Sequence, residues 1–392
     1  MSVPDAGVPV VLAGARGHGR WHLRNLHRLQ QAGLVRLAGI CELKPLSDEE
    51  LSEDGVSFGR PEQSEDFAGL LERTGARIAV ICTPIHTHAD LALTAAARGV
   101  HILLEKPTAP SYAEYERLLA GLDESGTVCQ IGFQSLGSHA VEAIRELIAD
   151  DVIGPVRGIG AAGAWVRDEA YYTRAPWAGR RTLDGRDVVD GVLTNPLAHA
   201  VATALRIDGS DRAEDIAELE VEQFRANDIE ADDTTCLRLR TARSTPVTVA
   251  VTLCARKSAE PYLLIHGARG RITFWYKGDR VLVQRTDQGP VETVHGRTDL
   301  LENLVAHLDG RAELLVPPRR TGAFMRIVEH VRTAPLPRLL PAEAWYSEPG
   351  ANAPRRIVKG IDGLVASSAD TLSTFSELGA SWALPTAEVY SR

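Results

Sequence analysis

The sequence has few of the features that secreted and membrane proteins need. Only five of its 392 residues are cysteines, without any C-x-x-C spacing: Cys41, Cys82, Cys129, Cys236 and Cys254. An odd number of scattered cysteines argues against a disulfide framework and is typical of a reducing compartment. No apolar run is long enough to span a bilayer, and the first residues lack a secretion-signal pattern. We therefore expect a cytoplasmic protein.

Aromatic residues and long runs of one charge are also scarce. The 52 acidic and 43 basic residues give a net charge of -9 and are spread along the chain. This distribution argues against nucleic acid or an anionic membrane as the main partner and favours a small, largely uncharged ligand. A chain of 392 residues exceeds what one hydrophobic core usually organises, so two domains are expected.

A glycine-rich turn follows the first apolar run. Val8 to Ala13 predicts a buried strand, the sequence GARGHG comes next, and a helical pattern continues from there. Strand, glycine loop and helix form the context of a dinucleotide site, because glycines let the backbone approach a pyrophosphate at a helix N-terminus. Gly14 and Gly19 take the first and third places of G-x-G-x-x-G, whereas Arg16 holds the second and Gly17 is displaced by one.

The second apolar run, Val35 to Cys41, ends at an acidic residue. Glu42 follows it, about twenty residues after the glycine loop, where a carboxylate can bind the ribose hydroxyls of NAD. Such a carboxylate repels a 2′-phosphate, so NAD is the predicted cofactor, with NADP possible because Arg16 is nearby in sequence. The alternative is an ordinary strand-to-helix turn with a solvated Glu42.

Polar residues also follow two later apolar runs, Ile78 to Cys82 and Val100 to Leu104, which a helical segment separates. They are Thr83, Pro84 and His88 after the first run, and Glu105, Lys106 and Pro107 after the second. Parallel strands joined by a crossover helix point the same way, so both groups should lie at the carboxyl edge of one sheet, where α/β proteins bind ligands.

The pattern of buried strands and helices continues to about residue 132. Ser111 opens a capping-box helix, and Thr127 to Phe133 predicts another strand with Gln134 at the same carboxyl edge, in position to contact a cofactor. Residues 1–132 therefore predict an α/β domain, a Rossmann-type doubly wound sheet of five or six parallel strands. A helix from Ser64 to Arg73 is also predicted.

After Gln134 the pattern changes to short strands with turn residues between them. The predicted strands are Val156–Val166, Glu218–Arg225, Thr234–Thr241, Val247–Ala255, Tyr262–His266, Arg271–Tyr276 and Arg280–Gln284. Helical patterns return over Leu300–Leu308 and Thr321–Val331. Residues 133–345 thus predict a C-terminal α+β domain with a mostly antiparallel sheet, for substrate binding and dimerisation. Residues 346–392 are assigned to a C-terminal extension.

These motifs together resemble the Gfo/Idh/MocA oxidoreductases, the glucose-fructose oxidoreductase and inositol dehydrogenase superfamily. The resemblance rests on the glycine turn, the acid after the second strand, T-P-x-x-x-H at Thr83–His88 and E-K-P at Glu105–Pro107, and it covers Val8 to about Leu340. It implies that Lys106 is catalytic and that Thr83, Pro84, His88 and Glu105 line the cofactor. It also implies that the exposed face of the second sheet often forms a dimer. Without that context, Lys106 would be a solvated lysine at a strand end.

A second candidate group is Asn195-Pro196-Leu197-Ala198-His199. Asn195 is a good N-cap with Pro196 at the first helical position, and His199 would lie on the same face one turn later. The family resemblance implies D-x-x-x-H here, with His199 as acid and base for the substrate hydroxyl. Asn195 departs from that pattern, because an amide cannot relay a proton. The alternative for His199 is a buried core histidine.

Residues 171–181 contain several aromatic rings and arginines in a chain poor in aromatics. Aromatic faces pack on sugar rings and guanidinium groups bind hydroxyls or carboxylates, so Trp177 and Arg174 are predicted substrate contacts. An interface loop is an equally good interpretation.

The function predicted is an NAD(P)-dependent oxidoreductase that transfers a hydride between nicotinamide and a secondary alcohol or ketone of a sugar, cyclitol or derivative. His199, Lys106 and Asn195 are the predicted catalytic residues, and no metal site is expected. The predicted partners are a small polyhydroxylated substrate and further copies in a homodimer or homotetramer. The alternatives are a non-catalytic NAD(P)-binding sensor, favoured by Arg16 and Asn195, and an NAD-dependent epimerase or glycosidase.

Overall fold

The computed structural model describes residues 7–53 and 56–384, which form two compact units. The first unit comprises residues up to 137 together with 298–321, and the second comprises 138–297 together with the described residues from 322 onward. This division differs from the predicted one, since 298–321 belongs to the first unit and the C-terminal extension belongs to the second. In the described part of the chain, no helix is long and apolar enough to cross a membrane.

The secondary structure alternates between strands and helices in the first unit and is richer in strands in the second. The helices are α1 (Gly19–Gln31), α2 (Phe67–Thr74), α3 (His88–Ala96), α4 (Tyr112–Ser125), α5 (His139–Ala149), α6 (Glu169–Tyr172), α7 (Ala198–Asp208), α8 (Leu300–Leu308), α9 (Gly322–Thr333) and α10 (Ile361–Thr371). The strands up to residue 131 are β1 (Val8–Ala13), β2 (Val35–Cys41), β3 (Ser52–Glu53), β4 (Val56–Ser57), β5 (Glu62–Ser64), β6 (Ile78–Ile81), β7 (His101–Leu104) and β8 (Cys129–Ile131). The later strands are β9 (Val156–Ala164), β10 (Thr182–Leu183), β11 (Arg186–Asp187), β12 (Ile216–Arg225), β13 (Thr234–Thr241), β14 (Pro246–Thr252), β15 (Tyr262–Gly267), β16 (Gly270–Trp275), β17 (Arg280–Arg285), β18 (Val291–Val294), β19 (Arg338–Leu339), β20 (Trp345–Glu348) and β21 (Arg355–Val358).

The first unit is built on a six-stranded sheet in the order β5-β2-β1-β6-β7-β8. All of its neighbouring strands are parallel, which confirms the predicted doubly wound architecture. The inner strands are apolar because helices cover both faces of the sheet, and Val10 to Ala13 are fully buried. Strand order reverses between β1 and β6, so the loops after these two strands flank the crevice where such sheets bind ligands.

The sequence analysis missed the third strand of this sheet. Residues Glu62–Ser64 are polar and partly exposed, and β5 exists because it pairs with the end of β2. The predicted helix from Ser64 therefore begins later, at Phe67, with the Asp66 side chain accepting a hydrogen bond from the Gly69 N–H. The capping box at Ser111 is confirmed, since its hydroxyl accepts from the Glu114 N–H.

Residues 298–321 belong to the first unit through a buried amide. Gln130, at the centre of β8, donates to the Leu300 carbonyl and the Asn303 side chain, and its own oxygen accepts from the Val316 N–H. The predicted position of α8 is confirmed. The prediction assigned this helix to the second domain together with the residues that precede it in sequence, whereas it lies in the first unit. A polar residue inside an apolar strand was the signal for this contact, because a buried amide needs partners.

The second unit contains a nine-stranded sheet in the order β18-β17-β16-β15-β9-β14-β13-β12-β19. Only the β9–β14 and β12–β19 pairs are parallel, so the sheet is mostly antiparallel, as predicted. The sequence analysis missed β18, whose residues are all exposed at the sheet edge. Helix α7 and the turn before it pack on one face of β9, where a Cβ at Gly163 would meet Leu197.

The opposite face of this sheet is covered by the C-terminal segment. Helix α10 packs on β9 and β14, and the backbone of Ala369 approaches Gly160 so closely that no side chain fits there. A buried cluster joins Phe224 of β12 to Val365 and Phe375. The expectation of an exposed sheet face is therefore wrong for this part of the sheet, because the chain supplies its own apolar cover.

Candidate functional site

The glycine loop after β1 has the tight geometry that a dinucleotide requires. Gly14 has a φ of +83°, and a Cβ there would lie 2.5 Å from the Cys82 carbonyl oxygen at the end of the next strand. Gly19 begins α1 against the Gly14 carbonyl, where a side chain would also collide. Gly17 has a φ of +57° with open space beside it. Gly14 and Gly19 are thus required by close packing, and Gly17 by its backbone conformation.

Glu42 contacts this loop directly. Its Oε1 accepts hydrogen bonds from the N–H groups of Ala15 at 2.6 Å and Arg16 at 3.2 Å. These two loop N–H groups therefore converge on a carboxylate oxygen, and such converging backbone donors are typical of sites that bind anionic groups. These residues fit the predicted NAD, and the roles of the loop for its pyrophosphate and of Glu42 for its ribose stay predictions.

Arg16, which replaces the second glycine, points its guanidinium to a different acid. Its Nε and Nη2 donate to the two carboxylate oxygens of Glu50 at 2.8 and 3.0 Å, and Nη1 lies 3.5 Å from Glu42. The hydrogen bond from Arg16 is the main cause that lowers the pKa of Glu50 to about 2. Arg16 is therefore held by Glu50 in a bidentate ion pair and covers the segment from residue 44 to 50.

His88 connects the two loops at the carboxyl edge. The ring is buried, with Nδ1 2.8 Å from the Pro107 carbonyl oxygen and Nε2 2.9 Å from that of Thr83. Burial is the largest influence and lowers the pKa of His88, while the two carbonyl contacts oppose this in part. His88 thus fixes the T-P-x-x-x-H loop to the E-K-P loop, a structural role beside the predicted cofactor contact.

Thr83 and Pro84 lie in the loop that His88 fixes. Thr83 Oγ1 is 2.6 Å from Thr87 Oγ1, and Thr87 in turn donates to the Pro84 carbonyl. The loop is thus braced by hydrogen bonds of its own. Both residues lie at the end of β6, next to the glycine turn, because Cys82 pairs with Ala13.

Glu105 of the E-K-P motif is buried and surrounded by donors. Its Oε1 lies 2.9 Å from His22 Nε2 and 3.5 Å from His18 Nε2, and it accepts from the Gln134 amide at 2.8 Å. Burial opposes ionisation, but the hydrogen bonds from His18 and His22 outweigh it and hold the pKa of Glu105 well below its usual value. The E-K-P loop is therefore attached to the start of α1, the helix that follows the glycine turn.

The same three side chains could hold a metal ion. One ligand atom from each of His18, His22 and Glu105 lies within 4.8 Å of the others, and two imidazoles with a carboxylate are ligands that suit a divalent transition metal. Two protein donors, the Gln134 amide and the Lys106 N–H, already occupy the carboxylate. Both Glu105 oxygens thus already accept hydrogen bonds from protein donors.

Lys106 lies next to this carboxylate, at the carboxyl edge that the sequence predicted. Its N–H donates to Glu105 Oε2 at 3.1 Å, its side chain is half-buried, and its peptide bond to Pro107 is cis. In the first unit, the structure thus brings Lys106, Glu105, Gln134, the Thr83 loop and the glycine turn to one sheet edge.

Asn195 lies in the second unit and does not cap a helix. Helix α7 begins at Ala198 with Leu197 as its N-cap residue, so the predicted cap is wrong. The Asn195 N–H bonds to the Gly191 carbonyl, and its Nδ2 donates to Asp190 Oδ1 at 2.6 Å. Residues 191–197 form a turn because Gly191 packs against the buried side chain of Asp232, where a Cβ would collide.

Asp190 is a functional candidate that the sequence analysis missed. Its buried Oδ2 accepts from the Gly179 N–H at 2.8 Å and from Arg174 Nη2 at 3.2 Å. Asp190 thus joins the aromatic loop to Asn195, four residues before His199 at the start of α7. Nothing in the local sequence D-G-V-L indicates which side chain the carboxylate contacts.

Arg174 and Trp177 lie close together, and their roles as substrate contacts stay predictions. The Arg174 guanidinium lies 4.6 Å from the Trp177 ring centre and 3.7 Å from that of Tyr171, both within cation–π distance. Arg181 of the same loop has a structural role, since it donates to carbonyls in the last turn of α9 and just after it. Arg181 therefore attaches this loop to the end of α9, whereas Arg174 and Trp177 are candidates for binding a ligand.

Comparison with known proteins identifies the class. Residues 8–133 match the model of the oxidoreductase family with an NAD-binding Rossmann fold, and residues 141–273 match the Gfo/Idh/MocA C-terminal domain. The chain belongs to the Gfo/Idh/MocA oxidoreductase family, and its first unit is an NAD-binding Rossmann domain.

Two of the individual relatives that match this chain are named as dehydrogenases of different substrates. The chain is 29% identical over 123 residues to 4-carboxy-2-hydroxymuconate-6-semialdehyde dehydrogenase of Sphingobium sp. (31% of this chain, 37% of the relative). It is 33% identical over 100 residues to scyllo-inositol 2-dehydrogenase (NAD(+)) of Bacillus subtilis (25% of this chain, 29% of the relative). These matches span well under half of the relatives' lengths.

Solved structures share the fold over most of the chain. The WlbA dehydrogenase from Bordetella pertussis, in complex with NADH and UDP-GlcNAcA, superposes with a TM-score of 0.67 at 20% identity, covering 83% of this chain and 95% of that one. At that identity the likeness shows the fold.

Proposed function

We propose that the protein is an NAD-dependent dehydrogenase that acts on a secondary alcohol or ketone of a sugar, cyclitol or derivative. The observation that carries this proposal is the contact of Glu105 with His18 and His22, which holds Lys106 at the same sheet edge as the glycine turn. A cationic side chain fixed beside a dinucleotide loop can orient a hydroxyl or carbonyl oxygen. The named relatives, an inositol dehydrogenase among them, support the substrate class.

The chain's own residues would have three tasks in this reaction. The glycine turn and Glu42 bind the dinucleotide, which when bound supplies the hydride acceptor. Lys106 hydrogen-bonds the reacting oxygen, and its position is fixed by the Glu105 carboxylate next to it. His199 accepts the hydroxyl proton, and its neighbour Asn195 is oriented by the buried Asp190.

A cofactor titration followed by a substrate screen tests this function. NADH binding is followed by fluorescence, and sugars, inositols and their ketones are then screened at the nicotinamide absorbance. Turnover with at least one of them is expected. Cofactor binding without turnover would support a sensor, and product formation without net NADH would support an epimerase or glycosidase.

We further propose that the His18, His22 and Glu105 cluster works without a metal, because protein donors already occupy the Glu105 oxygens. Dialysis against EDTA should therefore leave cofactor binding unchanged. Loss of binding that zinc restores would contradict this.

A homodimer or homotetramer remains our proposal for the assembly, formed by surfaces other than the sheet area under α10.

A further inference from the structure

A cleft in the second unit is formed by two segments far apart in sequence. It has a volume of about 550 Å³, and its lining includes Arg167, Tyr171, Arg174, Pro349, Asn352 and Arg355. The first three residues lie in or next to α6, Pro349 and Asn352 belong to the turn between β20 and β21, and Arg355 begins β21. That turn lies in the C-terminal part of the chain, beyond the residues that match the family models.

The two walls of the cleft are joined by hydrogen bonds. Asp168, the N-cap residue of α6, accepts from the Asn352 N–H at 3.0 Å, and the Glu169 N–H donates to the Pro354 carbonyl at 2.9 Å. The pKa of Asp168 is lowered, first by the Asn352 N–H and also by the N–H groups of Tyr171 and Ala353. Asp168, the only acid among the described residues that line the cleft, thus accepts from backbone donors, and the walls are held in place before any ligand binds.

Three arginines line this cleft, and one of them has no acidic partner. Arg174 pairs with Asp190 at 3.2 Å, and Arg355 pairs with Glu348 at 2.8 Å. Arg167 donates to the Val166 carbonyl and forms no ion pair within the described ranges of the chain. In the same part of the structure, the buried Nε of Arg355 has no hydrogen-bond partner. Among the described residues that line the cleft, three arginines therefore face one carboxylate, that of Asp168.

Aromatic rings hold the Arg167 guanidinium in place. Its carbon lies 5.1 Å from the centre of the Trp165 ring and 4.9 Å from that of Tyr171. A guanidinium that rings already orient loses little freedom when it binds a planar or tetrahedral oxyanion through two N–H groups. Arg167 is thus preorganised to bind a carboxylate or a phosphate.

We propose that this cleft binds an oxyanion carried by the sugar substrate, a carboxylate or a phosphate, with Arg167 as the principal cation. The proposal rests on the function proposed above and names the substrate class as acidic sugars. A chain of contacts connects the cleft to the candidate catalytic residues of the same unit. Arg174 lines the cleft and bonds Asp190, and Asp190 accepts from Asn195, four residues before His199.

Calorimetry on the NAD-loaded full-length protein tests the proposal with four probes: glucose, glucuronate, glucose 6-phosphate and UDP-glucose. At least one anionic probe should bind more tightly than glucose, and the one that does distinguishes a carboxylate from a phosphate. Arg167→Gln should weaken that binding at least about tenfold, since a hydrogen bond to a charged group contributes this much, and should leave glucose unchanged. The matched control is Arg240→Gln, an exposed arginine of β13 outside the cleft.

The outcomes separate this proposal from the proposed function. Anion binding that Arg167→Gln abolishes, together with no turnover in the screen of sugars, inositols and their ketones, would support the cleft and contradict the dehydrogenase. Turnover of neutral sugars without tighter binding of any anionic probe would overturn the anion-site proposal and leave the dehydrogenase intact. Equal effects of Arg167→Gln and Arg240→Gln on the affinity for the anionic probe would do the same. If Arg167→Gln fails to fold, salt provides a second test, because added NaCl should weaken anionic but not neutral probes in the wild type.

Discussion

The side-chain amide of Asn195 donates a 2.6 Å hydrogen bond to the buried carboxylate of Asp190. The family pattern places an acid where this chain has Asn195, so the amide suggested a weakened site. The structure supplies a carboxylate from five residues earlier instead. Asp190 also accepts from Arg174 and the Gly179 N–H, so its charge is compensated within the second unit.

Asn195→Asp should therefore destabilise the fold in a pH-dependent way. The variant places a second carboxylate beside Asp190, and two like charges at this distance raise the pKa of one of them. A carboxyl whose folded pKa lies above its unfolded value contributes stability at low pH, which is lost as the pH rises through the folded pKa. Urea denaturation of the variant should show lower stability at pH 8 than at pH 5, relative to wild type.

Asn195→Ala is the matched control for this experiment, because it removes the amide without adding a charge. It should cost about 1–3 kcal/mol, the penalty for leaving a buried acceptor with one partner fewer, with no added slope against pH. If the aspartate and alanine variants showed the same pH dependence, the side chain at position 195 would not face Asp190 in solution.

These residues show which features of the fold and site can be predicted from sequence patterns and which cannot. The apolar strands, the glycine turn and the cap at Ser111 follow from local rules, and the structure confirms them. Asn195 has the right type for a cap, yet the tertiary contact with Asp190 outweighs that local preference. β5 is polar and depends on pairing with β2, so no periodicity could have indicated it. The approach of Glu105 to His18 and His22 likewise depends on the folded sheet, because these residues are far apart in sequence.

The pair between Arg16 and Glu50 should determine how well NADP is rejected. Glu50 holds the Arg16 guanidinium through two hydrogen bonds, while Glu42 faces the loop donors. Glu50→Ala should release Arg16, which can then bind a 2′-phosphate, so the affinity for NADP should rise relative to NAD by about tenfold. Calorimetry with both cofactors measures this ratio.

Glu49→Ala is the control for that measurement, since the Glu49 carboxylate takes no part in the contacts of Arg16. We expect NAD to bind more tightly than NADP in both the wild type and the control. Tighter binding of NADP to the wild type, with Glu42→Ala leaving the preference unchanged, would refute the assignment of Glu42 to the ribose.

Lys106→Ala should reduce turnover by roughly a hundredfold or more while cofactor affinity stays nearly constant, because a positioned hydrogen-bonding group contributes about that much to the rate. The contact of the Lys106 N–H with Glu105 belongs to the backbone, so the loop should keep its conformation. Steady-state kinetics and NADH titration separate the two effects. Lys257→Ala, at an exposed position of the second unit, is the control. Wild-type turnover in Lys106→Ala would exclude this lysine from the chemistry.

Stability should fall as the pH drops below about 6.5, and His88 should account for part of this loss. Burial lowers the pKa of His88 in the folded state, so the unfolded chain binds a proton that the folded chain does not. Stability therefore rises with pH across this window. His88→Gln should lower stability at pH 7 but flatten the slope between pH 7 and pH 5 in urea denaturation. His295→Gln should keep the wild-type slope, and an unchanged slope in His88→Gln would mean that the buried ring binds its proton in both states.

The C-terminal segment should be part of the core of the second unit rather than an appendage. Phe375 is fully buried, packs 6.3 Å from Phe224 of β12 between ring centres, and its N–H donates to Glu222 at 3.0 Å. Truncation of a fully buried phenylalanine removes its burial and leaves a cavity, so Phe375→Ala should cost about 3–5 kcal/mol of unfolding free energy. Leu384→Ala, at a side chain that is 48% exposed, should change stability by less than about 0.5 kcal/mol. Chemical denaturation of both variants decides between the two views, because an appendage would make their effects equally small, whereas a core element requires a large loss at Phe375 alone.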